Sequence, residues 1–99
     1  MSVEVHVDGR VALGRLSAFA LGVEEYKKYA ASHGYSQPRV LQGISGPMNS
    51  IRLVYTFADL SQFEEHEART LRDTGYAQVA GAMEFVEGTI TYSIFHVVE

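Results

Sequence analysis

Residues 51–72 read IRLVYTFADLSQFEEHEARTLR, and the change of period inside this stretch decides the fold. From Ile51 to Phe57 the side chains alternate. Ile51, Leu53, Tyr55 and Phe57 fall on one side, Arg52, Val54 and Thr56 on the other, as the period of two in a strand requires. After Ala58 the period lengthens. Leu60, Phe63 and Leu71 recur at helical spacing, with Asp59 or Ser61 placed to cap the helix N-terminus. Ser61-x-x-Glu64 also matches a capping box, in which two side chains satisfy orphan backbone donors reciprocally. This helix is expected to end near Arg72.

The same strand-to-helix unit stands upstream. Val3, Val5 and Val7 alternate with Glu4 and His6, which predicts a half-buried strand running on towards Val11. Leu16, Phe19, Val23, Tyr26 and Ala30 share one helical face, so a helix is expected over 14–33, with Gly34 as its natural stop. Residues 38–45 predict a second strand that starts at a proline, followed by the turn-forming run GISGPMNS at 43–50. Asp73 to Gly75 breaks the chain before a further helical turn or two. Residues 89–98, rich in β-branched and aromatic side chains, predict the last strand. Leu-Ser-x-Phe occurs at 16–19 and again at 60–63, each time at a predicted helix start. The order is βαββαβ. It predicts a ferredoxin-like α+β fold: an antiparallel four-stranded sheet with two helices on one face.

Ninety-nine residues, 46% apolar and 20% charged, suit one domain over residues 1–99 with a single core. A net charge of −4, with eight scattered Lys and Arg, lacks the basic footprint of a nucleic-acid binder. No cysteine is present, which removes disulfides and thiolate chemistry and fits a reducing, cytoplasmic setting. No run approaches the roughly 18 apolar residues of a membrane span, and the N-terminus lacks a signal-peptide pattern. One sheet face would have no helix to cover it, yet Ile90, Tyr92, Ile94, His96 and Val98 on one side and Phe95 and Val97 on the other give the last strand apolar residues both ways. A homodimer that packs two such faces together is the expected solution.

The segment GPMNSIRLVYTFADLSQFEEHEART, 46–70, resembles the dimeric α+β barrel superfamily, and within it NIPSNAP-type proteins. A glycine-containing hairpin (Gly46), Asn49, a hydrophobic strand, the pair Tyr55-x-Phe57, then Asp59 and Leu60 carry the likeness. Gly14, Arg15 and Leu16 resemble the family's entry to its first helix. Leu13 stands where proline is usual, Val7 where arginine is usual, and Tyr76 where tryptophan is common. The resemblance implies a dimeric α+β barrel. That superfamily includes cofactor-independent monooxygenases, lactone isomerases, haem proteins and proteins without known chemistry, so the fold does not choose a function. The related haem proteins are longer, and no cofactor is expected here.

Five residues are candidates for a ligand site: His6, Tyr55, Glu67, Tyr92 and His96. His6 and His96 fall on strands expected to be adjacent. If they share a face with Tyr55 and Tyr92, and if that is the face away from the helices, imidazoles and phenols would line a mostly apolar cavity fit for a small apolar or aromatic molecule. In an enzymatic alternative, a monooxygenase or isomerase, one histidine abstracts a proton and a tyrosine holds the oxyanion. A third reading is an interaction module whose interior is filled by side chains. Glu67 falls near the middle of the apolar stripe of its helix. It either reaches water or an arginine at the helix end, or is buried and anchors a ligand. His66-Glu67 opens like the zinc signature His-Glu-x-x-His, but the second imidazole would have to stand at Thr70. No metal site is expected, and His66 reads as a flank histidine facing solvent.

Overall fold

A computed structural model describes residues 1–98. Its elements are β1 (Val3–Arg10), α1 (Leu16–His33), β2 (Arg39–Gln42), β3 (Ser50–Phe57), α2 (Leu60–Leu71), α3 (Thr74–Gly81) and β4 (Thr91–His96). The strands form one antiparallel sheet in the order β2-β3-β1-β4, the ferredoxin-like topology. The central pair sets the core. Val3 lies opposite Phe57, Val5 opposite Tyr55 and Val7 opposite Leu53. Cross-strand partners share a face, so the apolar rows of both strands turn together towards the helices. Val3, Val5, Leu53 and Phe57 are buried there with Phe19 and Tyr26 of α1. Each such apolar side chain contributes roughly 1.5–3 kcal/mol.

Two glycines position α1. Gly34 adopts the left-handed conformation, φ 71°, and its N–H closes the helix on the carbonyl of Ala30. At Gly22 an added Cβ would lie 2.5 Å from the Ala82 carbonyl oxygen, so α1 approaches the end of α3 only without a side chain.

Four local expectations are corrected. The turn or two after Asp73 is a full third helix, because Asp73 Oδ1 accepts the N–H of Tyr76 at 3.1 Å and caps it. α2 is capped by Asp59, which accepts the Gln62 N–H at 2.8 Å, while Gln62 Oε1 accepts the Ala58 N–H at 3.2 Å. The reciprocal pair is therefore Asp59 with Gln62, not Ser61 with Glu64. β2 stops at Gln42 because Gly43 and Ser50 already close the hairpin, the Gly43 N–H reaching the Ser50 carbonyl at 3.0 Å. β4 starts at Thr91, since the Thr89 hydroxyl donates to the Val86 carbonyl in a turn.

The helix-free face is more polar than the sequence implied. Glu4, His6 and Asp8 of β1 share it with Arg52, Val54 and Thr56 of β3, Arg39 and Leu41 of β2, and Ser93 and Phe95 of β4. Asp8 and Arg52 form a two-pronged ion pair, 2.6 and 3.3 Å. The apolar excess lies on β4. Tyr92 and Ile94 point to the helix side, opposite Val7 and Val5, yet remain 52% and 45% exposed because the helices stop short of this edge strand. Among the described residues, no helix is long and apolar enough to cross a membrane.

Candidate functional site

Between sheet and helices the phenols gather. Tyr55, at the middle of β3, faces α1 and lies 2.8 Å from the Tyr26 hydroxyl. Tyr26 also bonds the hydroxyl of Tyr76 on α3. These bonds exist because three elements each present a tyrosine to the same buried point: β3 by alternation, α1 by its helical stripe, α3 by its Asp73 cap. Burial first, and the neighbouring phenols second, push the Tyr26 hydroxyl far above the ordinary range. Burial likewise raises Tyr55 and Tyr76. All three are neutral phenols at physiological pH.

A cavity of about 100 Å³ opens beside them, walled by Val5, Val7, Phe57 and Phe63 and fringed by Tyr55, His66, Glu67, Tyr76 and Tyr92. It adjoins an open hollow of about 390 Å³ that shares Val7, Tyr55 and Tyr76 and continues to Tyr26, Leu53 and Ile90. Tyr92 reaches across from β4 and donates to Glu67 Oε1 at 3.5 Å. Burial and the Glu67 carboxylate raise the Tyr92 phenol to about 12.

His66 is set into the wall. The Ser36 backbone N–H donates to its Nε2 at 3.2 Å, and the rings of Phe57 and Tyr35 pack against it at 5.1 and 5.6 Å. Its Nδ1 is buried and has no hydrogen-bond partner among the described residues. Burial, then the positive charge of Arg69, lowers its pKa, so the ring is neutral at physiological pH. Arg69 is held away from the cavity, 4.9 Å over the Tyr35 ring and bonded to the His33 carbonyl at 3.1 Å. Behind this wall Asp73 accepts the hydroxyls of Tyr29 and Tyr35, each at 2.7 Å, which lowers its own pKa to about 2.

Of the five candidates from the sequence, the structure brings Tyr55, Glu67 and Tyr92 together and leaves out the two histidines. His6 pairs with Ser93 and Val54 and so lies on the helix-free face, 2.8 Å from Glu4 Oε1 and edge-on to Phe95. His96 lies opposite Val3 on the other face, exposed at the end of β4. It stands four residues, roughly 13 Å of strand, from Tyr92. The two histidines therefore cannot act together, and neither lines the cavity. Tyr26, His66 and Tyr76 belong to the site and were not among the sequence candidates. His66, expected to face solvent from the flank of α2, instead turns inward, being three residues after Phe63 on the same helical face.

No protein-family model matches the chain, and no curated protein matches it in sequence. Solved structures do match. A NIPSNAP family protein from Agrobacterium tumefaciens superposes with a TM-score of 0.78 at 14% identity, over 100% of this chain and 95% of that one. An uncharacterized NIPSNAP domain protein from Burkholderia xenovorans gives 0.77 at 17% identity, over 99% and 95%. An antibiotic biosynthesis monooxygenase-like protein from Caulobacter crescentus gives 0.75 at 10% identity, over 99% and 91%. At these identities the likeness establishes the fold, the ferredoxin-like arrangement that NIPSNAP family proteins share with monooxygenase-like ones.

Proposed function

We propose that this chain binds a small apolar or aromatic molecule in the cavity between sheet and helices. One observation carries the reading: polar groups from β3, α2, α3 and β4 converge on a space whose walls are otherwise valine and phenylalanine. An interior built only for packing would close that space, since cores are filled to crystal-like density. The cavity and its adjoining hollow together are large enough for a ligand of one or two rings, and the exposed side of β4 is the way in. A set of small aromatic ketones and phenols, titrated against protein labelled at the valine methyls, tests this. Binding should shift the Val5 and Val7 methyl resonances, and a Val7→Phe change should block it. A folded protein whose Val5 and Val7 signals ignore every compound has no such site.

We also infer that a second copy of the chain covers the helix-free face. The face mixes charged and apolar side chains: β1 presents Glu4 and Asp8, β2 presents Arg39 and Leu41, β3 presents Arg52, which pairs with Asp8, and β4 presents Phe95. A two-fold axis lays this mixed face against its own copy, the Asp8–Arg52 pair staying within each chain. Phe95, 51% exposed, and Leu41, 44% exposed, supply the apolar contact. The sheet-to-helix cavity of each copy stays open on the opposite side.

A further inference from the structure

The charge that lines the cavity is all of one sign, and this narrows the chemistry of its ligand. Five phenyl and phenol rings, those of Tyr55, Phe57, Phe63, Tyr76 and Tyr92, stand around the space with one carboxylate, Glu67. Among the described residues no Lys or Arg lines it. The adjoining hollow adds a second carboxylate, Glu84, and again no Lys or Arg. Arg69, one turn of α2 beyond His66, is turned to the Tyr35 ring and the His33 carbonyl. Glu67 is half-buried and forms no ion pair among the described residues. Its Oε1 accepts the Tyr92 hydroxyl at 3.5 Å, which leaves Oε2 free for a ligand. The aromatic walls meet at steep angles. Phe63 stands at 70° to Phe57, and the His66 ring beside them stands at 62° to Phe57 and 87° to Tyr76. These rings therefore form corners rather than face-to-face stacks.

Resting on the cavity reading above, we propose that the ligand carries a methyl- or alkyl-substituted ammonium group, held by the Glu67 carboxylate among the surrounding rings. Aromatic rings attract a cation electrostatically, most strongly where water is excluded. A substituted ammonium suits such a place because its outer surface is apolar and its charge needs no hydrogen bonds. A carboxylate drawn part-way out of water without a counter-ion is costly, and an entering cation offsets that cost. Other charged ligands fit less well. A primary ammonium brings three N–H donors, and the Val5, Val7, Phe57 and Phe63 side chains can accept none of them. A metal ion needs several ligating atoms, and among the described residues no three His, Asp or Glu gather to hold one. An anion would meet Glu67 and Glu84 with no positive side chain to compensate. A cavity of about 100 Å³ admits a trimethylammonium head, and the hollow beside it takes the rest of the molecule.

The test compares phenyltrimethylammonium with tert-butylbenzene, which puts a neutral carbon in place of the charged nitrogen and keeps the shape. Acetophenone, neutral and of similar size, probes the cavity itself. Affinities are read from the Val5 and Val7 methyl shifts in the wild-type protein and in Glu67→Gln, which keeps the size of the side chain and removes its charge. Phenyltrimethylammonium should bind the wild type roughly tenfold more tightly than tert-butylbenzene, a difference of about 1.4 kcal/mol. Glu67→Gln should erase most of that preference and leave the tert-butylbenzene affinity unchanged. Equal binding of the two compounds to the wild type, a comparison that needs no variant to fold, overturns the proposal. So does a cavity that takes acetophenone or tert-butylbenzene but not the cation, or a preference that survives Glu67→Gln. Each of these results leaves the cavity reading intact. If none of the three compounds moves the valine methyls, the cavity reading falls and this proposal with it.

Discussion

Tyr26 shows how one residue can serve packing and chemistry together. It is 1% exposed, yet its hydroxyl holds both Tyr55 and Tyr76, so the core is stitched by polar atoms at its centre. Its environment, not its identity, sets its behaviour. All six tyrosines of the chain have pKa values above the usual 10.0: three through burial in the phenol cluster, Tyr92 through burial beside Glu67, Tyr29 and Tyr35 chiefly through their bonds to Asp73. The folded state thus keeps phenol protons that the unfolded chain releases near pH 10. The stabilisation is complete below that pH and is lost as pH rises above it. Absorbance at 295 nm should stay low through pH 10 in the native protein and rise there in urea; coincident curves would refute the buried cluster. Tyr26→Phe, which leaves two buried hydroxyls without their shared partner, should cost about 1–3 kcal/mol in urea unfolding.

At the scale of elements, α2 separates what the sequence shows from what it hides. The helix itself was legible, because the period changes after Phe57 and polar capping residues follow. Its buried face was legible only in part: Phe63 and Glu67 fall on the expected stripe and do turn inward. Leu60 and Leu71 look like anchors, yet they are 43% and 82% exposed, and the only buried residue of the helix is Thr70. The inward side is Phe63, His66, Glu67 and Thr70, a stripe that hydropathy sees only in part because a cavity, not a filled core, lies beneath it. The strand faces were legible for the opposite reason: alternation in β1 and β3 is strict, and one pairing register fixes every side chain. What no pattern gave was the register of β4, and with it the separation of His6 from His96. The caps provide a direct test of the local reading. Asp59→Ala should lower stability by about 1 kcal/mol, whereas Ser61→Ala, which removes no cap, should stay within about 0.5 kcal/mol. A larger loss at Ser61 than at Asp59 would mean that the helix begins elsewhere in solution.

Among the described residues β4 is an edge strand with no buried residue and no strand beyond it, and the helices only fringe its inner face, where Tyr92 reaches Glu67 of α2. Exposed edges of high β-propensity are normally blunted by charge, proline or a bulge. β4, TYSIFH from 91 to 96, has neither proline nor lysine. The two-fold arrangement inferred above covers one face of this strand, the helix-free one, through Phe95. Sedimentation equilibrium of the intact chain should then return twice the 11.0 kDa subunit mass at micromolar concentration. Phe95→Glu should shift the population to monomer by placing an unpaired charge in the contact. The same change should leave acetophenone binding unaltered, because Phe95 and the cavity lie on opposite faces of the sheet. A wild-type protein that sediments as a single subunit at high concentration removes the dimer and leaves the cavity, which is built within one chain.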